Sequence, residues 1–270
     1  MASKKGIYSV FKNIIKKENV LFQSKPQEKF LESQIVNLMP IFDTMTQEFS
    51  GVLHQSLIEA TSDQIIQQVQ DGLKNIAYWH CHGRAISSLL PIHQKNLSNV
   101  VLLEQLIVQI TSSNLPIGLI KIPIMGLQET VNENFIPSLL KLQRLGIIFE
   151  FWGFNGSEQE FIWLKQKLFS GVHLSIGLLR AVSMTTHTKE IYHQLTTLIS
   201  TQKIHTYSGG ISLVHDLTFA RNMKLNFCYG TLLMPSVTKH QILKINDSQF
   251  AHLSVNKKPH SSTNGERKLC

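Results

Sequence analysis

Four places in this chain carry side chains that could do chemistry. Glu150 lies two residues before Trp152 in an apolar run, so the two share one face of a strand. A carboxylate there could ligate a cation, or pair with a lysine such as Lys121; the pairing is the simpler reading. His173 sits in a second apolar run. Imidazole can act as a general base, but without a metal or carboxylate partner His173 reads as a hydrogen-bonded interior residue. Trp79-His80-Cys81-His82 looks like a metal cluster. Two residues apart on a helix, however, His80 and His82 point to different sides, and the spacing fits no usual zinc pattern. Ser208-Gly209-Gly210 could cradle a phosphate, yet a sharp βα turn explains a glycine pair equally well.

These residues are positioned by one legible unit, Leu145 to Leu178. Gly146 ends a helix, and Ile147 to Phe151 is a short β-branched and aromatic run. Phe154 to Ser157 is turn-like, Phe161, Leu164 and Leu168 recur at helical spacing, and Val172 to Ile176 is a second strand. Strand, helix, strand makes a right-handed βαβ unit and hence a parallel sheet.

That unit resembles the second half of an EAL domain, the barrel phosphodiesterase that hydrolyses cyclic di-GMP. The family pattern is LG-x5-DDFGTGYSSLxYL followed by GLKID. Leu145 and Gly146 match the LG, Phe154 the Phe of DDFG, Leu164 the helical Leu, and Gly171 the Gly before the lysine strand. Asn226-Phe227-Cys228-Tyr229-Gly230 is similar to DYVQG, and Thr231 to Pro235 to the YLFGxP close of the barrel. The resemblance spans about residues 7 to 245. It implies an α/β fold, a (β/α)₈ TIM-like barrel of EAL type. The chain's 270 residues suit such a barrel, for which about 250 is typical. Residues 1–250 are read as the barrel and 251–270 as a disordered polar tail.

The frame continues in both directions. Ile7 to Lys17 is expected as an amphipathic helix, Val20 to Gln23 as strand one, and Gln34 to Phe42 as strand two. Helices are expected over Ser56 to Thr61, Asp63 to Trp79, Val100 to Ser112, Lys189 to Ser200 and Val214 to Met223. Ala85 to Ile92, Gly118 to Met125 and Lys203 to Tyr207 complete the strands.

Laid on this frame, the family's site residues are replaced. Asn37 stands for the signature glutamate and Ile41 for the phosphate-binding arginine. Leu89 and Pro91 stand for the Asn-x-Ser metal site. Lys121 falls near a ligand glutamate, and Ile124 falls on a second one. Trp152 and Gly153 stand for the aspartate pair, His173 for the lysine, Ser175 for the next aspartate, and Gly209 for the catalytic glutamate. Of the outer contacts, Gln23 alone is kept. Two-metal phosphodiester cleavage needs hard oxygen ligands, mostly carboxylates, and none of these positions supplies one.

The resulting expectation is a barrel without catalytic residues, bound metal or cofactor. It would act through another protein in motility, biofilm or RNA turnover. Trp152, Phe154 and Tyr207 are the candidate partner-binding residues, either as exposed anchors or as plugs of the vacated pocket. Asn37-Leu38-Met39 also resembles the ELM variant of a family of RNA-decay regulators. Cyclic di-GMP binding is expected to be weak or absent. The alternatives are a non-catalytic receptor for that dinucleotide and an enzyme of unknown chemistry.

Composition bounds the rest. Net charge is +8 and pI about 9.4, which fits acidic partners, nucleic acid among them. Four of the basic residues lie after Ala251, so net charge alone is a weak argument. Cys81, Cys228 and Cys270 are odd in number and far apart, which suggests no disulfide framework and a reducing cytoplasm. The first residues lack the apolar core of a signal peptide, and no apolar run approaches a membrane span.

Overall fold

A hairpin opens the barrel. In the computed structural model, β1 (Leu38–Asp43) and β2 (Phe49–His54) run antiparallel, with Leu38 opposite His54 and Pro40 opposite Val52. The structure describes residues 37–55, 60–127, 133–155, 157–174 and 203–245, with scattered helical positions between 178 and 201. The hairpin turn is held by Asp43, whose Oδ1 accepts the N–H groups of Met45 and Thr46, each at 2.8 Å.

From β2 onward strands alternate with helices. The helices described end to end are α1 (Ser62–Cys81), the short α2 (Gln94–Leu97), α3 (Val100–Ser112), α4 (Phe135–Arg144), α5 (Glu158–Lys165), α6 (Val214–Asn222) and the short α7 (Lys239–Ile242). The strands are β3 (Ser87–Leu89), β4 (Ile92–His93), β5 (Ile120–Met125), β6 (Ile148–Phe154), β7 (Gly171–Leu174), β8 (His205–Ser208) and β9 (Phe227–Cys228). From β2 round to β9 every pairing is parallel, whereas β1 is antiparallel to both its neighbours. β3 and β4 both pair with β5 and form one stave, interrupted at Leu90-Pro91, where proline offers no N–H to the ladder. The β3–β5 pairing closes an eight-stave TIM-like barrel.

The sequence explains where these helices start and what they bury. Thr61 caps α1 through a capping box with Gln64, and Ile65, Val69, Leu73, Ile76 and Trp79 fall on one buried stripe. Asn99 caps α3, which buries Leu102, Leu103, Leu106 and Ile110. Ser157 and Glu160 form a second capping box at α5. The C-terminal segment is tied to α1: Trp79 Nε1 donates to the Lys239 carbonyl at 2.9 Å, and Arg84 reaches the carbonyls of Ile242, Leu243 and Ile245.

The sequence frame needs correction at its N-terminal end. The eight staves close without Val20 to Gln23, which lie outside the described residues together with Ile7 to Lys17 and the tail after Ala251. Leu38–Asp43 is therefore the first stave and Phe49–His54 the second, so Asn37 does not lie on the second strand. Residues 56–59 are not described, and Thr61 is an extended N-cap, not the end of a helix. Most of Lys189 to Ser200 is undescribed; the described positions there are helical.

Candidate functional site

Alternation along each strand sends one set of side chains into the barrel. Ile41, Leu53, Leu89, Tyr207 and Tyr229 form the buried inner cluster, with Met39, Trp152 and Phe227 packed against it. The opposite set, including Phe149, Phe151, Val172 and Leu174, packs in the shell between barrel and helices.

Four rings on consecutive staves form a ladder across the interior. Trp152 is opposite His173 in register, His173 opposite Tyr207, and Tyr207 opposite Phe227. Their rings stack with centroids 4.8, 4.3 and 4.9 Å apart in that order. Cross-strand aromatic pairs of this kind each add about 0.5–1.5 kcal/mol beyond area burial. The ladder depends on a bulge: register shifts between Trp152 and Phe154, and Gly153 takes φ +76. The extra residue lets Trp152 turn inward while Phe154 turns out to the Phe151 and Phe161 rings.

Beside the ladder lies a buried polar network. Glu150 Oε2 is 2.7 Å from His173 Nε2, and Tyr207 donates its hydroxyl to Glu150 Oε1 at 2.8 Å. Lys121 Nζ donates to the Tyr207 hydroxyl at 3.1 Å and lies 3.6 Å from Glu150 Oε1. His173 Nδ1 is 3.3 Å from the Tyr229 hydroxyl. Gly171 makes room for this: a Cβ there would come within 2.8 Å of the Tyr207 ring and 3.1 Å of Glu150. Burial alone would push the Glu150 carboxyl up, but the His173 hydrogen bond, the His173 and Lys121 charges and the Tyr207 hydroxyl outweigh it and hold the group below its usual range. Glu150 is thus an ionised carboxylate with its acceptor sites taken. Burial and the Glu150 charge push the Tyr207 phenol up, and likewise that of Tyr229, so both stay protonated donors.

The residues singled out from sequence fall as follows. Leu89, Lys121, Trp152 and His173 meet inside the barrel. The Lys121–Glu150 pairing is present. Gly209 follows β8 and faces Tyr229, whose hydroxyl would lie 2.6 Å from a Cβ at that position. Asn37 is exposed ahead of β1, and the inward residue near the C-terminal end of β2 is Leu53. Ser175 lies outside the described residues. Phe154 is 0% and Tyr207 2% exposed, so neither presents a surface to a partner; of the three candidate anchors only Trp152 is partly exposed. His80 and His82 are exposed at the end of α1, apart from this site. Sequence reading missed Leu53, Tyr229 and the bond from Glu150 to His173. A period-two inward pattern, once β2 is recognised, would have found Leu53.

The divalent ions implied by the EAL resemblance do not fit this donor set. Among the described strand residues the carboxylates are Asp43, which caps the hairpin turn at the opposite end, and Glu150, which is fully engaged. Among the described residues no group of three or more His, Cys, Asp and Glu side chains could hold a metal ion.

No family model and no curated protein matches this chain. Solved structures do match its fold. The EAL domain of Mycobacterium smegmatis DcpA aligns with a TM-score of 0.68 at 12% identity, over 84% of this chain and 100% of that one. The PaMucR phosphodiesterase, solved as a cyclic di-GMP complex, gives 0.67 at 12% identity over 77% and 93%. The Xanthomonas citri FimX EAL domain, also bound to cyclic di-GMP, gives 0.62 at 10% identity over 87% and 97%. With its closed barrel and these neighbours, the chain has an EAL-type fold.

Proposed function

We propose that this chain is an EAL-like barrel without phosphodiesterase activity, working by binding a protein partner in bacterial cyclic di-GMP signalling, in motility, biofilm or RNA turnover. One observation carries the reading. Where metal-assisted cleavage needs several free carboxylates, the barrel interior holds a packed ring ladder and, among the described residues, the single carboxylate Glu150, already bonded to His173 and Tyr207. Freeing Glu150 would strip a buried network without supplying a second ligand. Signalling context comes from the neighbours, which include a phosphodiesterase and domains solved with the dinucleotide.

The test is direct. Purified protein with Mg²⁺ or Mn²⁺ is expected not to linearise cyclic di-GMP, and calorimetry is expected to give no binding tighter than about 10 μM. Metal-dependent turnover that survives repurification would overturn the reading. The partly buried Trp152 at the end of the ring ladder favours one alternative, a dinucleotide receptor, since an indole can stack on a base. Sub-micromolar binding without turnover would establish that alternative.

A further inference from the structure

The end of the barrel opposite its βα loops carries an unusual set of corners. Each helix returns to its next strand there, and the turning residue is left-handed. At three of these corners it is Gly83, Asn114 or Gly146, residues that adopt this conformation without penalty. At the three corners leading into β7, β8 and β9 it is instead Lys167 (φ +56), Lys203 (φ +61) and Lys224 (φ +54). Each closes the same turn, its N–H donating to the carbonyl three residues back: Leu164, Ser200 and Arg221. A lysine gains nothing locally from a left-handed backbone. The three lysines are exposed and sit on adjacent staves.

Their surroundings share the charge. The corner leading into β6 carries Lys141 and Arg144 in the last turn of α4, and Lys165 ends α5. Helix dipoles account for cations in last turns, but not for the left-handed lysines beyond them. Residues 141–148, 163–171, 199–205 and 219–227 hold no Asp or Glu. On the same end, Asp43 is engaged by its own turn and Glu48 belongs to the hairpin. Of the exposed large apolar side chains among the described residues, Leu140 and Ile162 border these corners and none lies within them.

We infer that this face binds the phosphate backbone of nucleic acid. Protein interfaces are anchored by aromatic or aliphatic side chains, which the four corners do not expose. A surface of long cations without anchors matches a ligand whose charge recurs regularly and is read without sequence. The inference is independent of the reading of the barrel interior.

The glycine variants make the test discriminating, because Lys→Gly at a left-handed corner relieves the backbone while removing the charge. Anisotropy of a fluorescein-labelled RNA of about 20 nucleotides is measured with the full chain from about 50 mM salt upward. The triple variant K167G/K203G/K224G is expected to bind at least about tenfold more weakly and to lose about 2 from the slope of log K against log salt, at about 0.7 per phosphate contact. Its melting temperature is expected to hold or rise. K74Q/K95Q removes charge away from this end of the barrel and is expected to keep affinity within about threefold. The inference is overturned if the parent chain does not bind RNA, if the glycine variant binds as the parent does, or if the two multiple variants lose affinity equally. Displacement of RNA by poly-glutamate at lower charge concentration would also overturn it, assigning the face to an acidic protein.

Discussion

Glu150 Oε2 and His173 Nε2 lie 2.7 Å apart with both side chains almost wholly buried. The contact joins β6 to β7 inside the barrel and turns the one inward carboxylate among the described strand residues into a structural group. Removing the carboxylate leaves the buried Tyr207 hydroxyl and the His173 ring short of their acceptor, at about 1–3 kcal/mol. Glu150→Gln is therefore expected to lower stability by about 2 kcal/mol, read as a fall in the urea midpoint. Replacing both residues with leucine is expected to cost more still, because the Tyr207 and Tyr229 hydroxyls and the Lys121 ammonium each lose a partner in the interior.

The same pair fixes a response to acid. The folded Glu150 carboxyl titrates below its ordinary value of 4.5: burial opposes ionisation, and the His173 contact, Lys121 and Tyr207 more than offset it. Between the two values the unfolded chain binds a proton that the folded chain does not. This contribution is complete above pH 4.5 and is lost as pH falls through the folded value. Urea titrations of the parent and of Glu150→Gln are expected to converge in that acid range. Parallel curves would show that Glu150 is not ionised in the fold.

How much of this was legible depends on distance along the chain. The unit from Leu145 to Leu178 reads correctly because its strands, helix and turns are local, and the observed β6, α5 and β7 fall within it. The β1–β2 hairpin does not read. Its turn, Thr44-Met45-Thr46-Gln47, has no Gly, Pro or Asn, and Gln47 takes φ +63 where glycine would have given a signal. Missing that turn shifted the first two strands and misplaced Asn37. Lys121 could be paired with Glu150 by chemical type alone. The Tyr207 and His173 partners come from staves 57 and 23 residues away and needed the closed barrel.

His54 gives a second pH response, in a milder range. It ends β2, is 1% exposed, and neither ring nitrogen has a hydrogen-bond partner. Burial pulls its pKa down to about 4 from 6.5, partly opposed by the Asp71 charge. Below pH 6.5 the unfolded chain takes up a proton that the folded chain refuses until about pH 4. Stability is thus expected to fall by about 3 kcal/mol across that window. His54→Leu is expected to flatten the dependence between pH 6.5 and 4, as measured by melting temperature against pH. An unchanged slope would place the titrating group elsewhere.

Trp152 and Phe154 separate under mutation because the Gly153 bulge sends them to opposite sides of the sheet. Phe154 is fully buried against Phe151 and Phe161, so Phe154→Ala is expected to cost about 3–5 kcal/mol through the cavity it leaves. Trp152 is partly exposed at the end of the ring ladder, and Trp152→Ala is expected to cost clearly less. Guanidinium unfolding of both variants decides it. Equal small losses would mean that Phe154 is not packed as described.

Gly209 and Tyr229 give the sharpest test of the barrel mouth. A Cβ at Gly209 would lie 2.6 Å from the Tyr229 hydroxyl and 2.7 Å from the ring, closer than any side chain tolerates, and Tyr229 is itself buried beside His173. The ring cannot swing away without breaking its contacts with His173 and Trp152. Gly209→Ala is therefore expected to destabilise the fold by about 1–3 kcal/mol, the usual penalty of overpacking. Tyr229→Leu shortens the obstructing side chain, so the alanine should be tolerated far better in its presence. A double-mutant cycle is expected to give a coupling of about 1 kcal/mol or more in the relieving direction. Additive losses would show that Tyr229 does not fill the space over Gly209, and the mouth would then be open at the position that matches the catalytic glutamate of the EAL pattern.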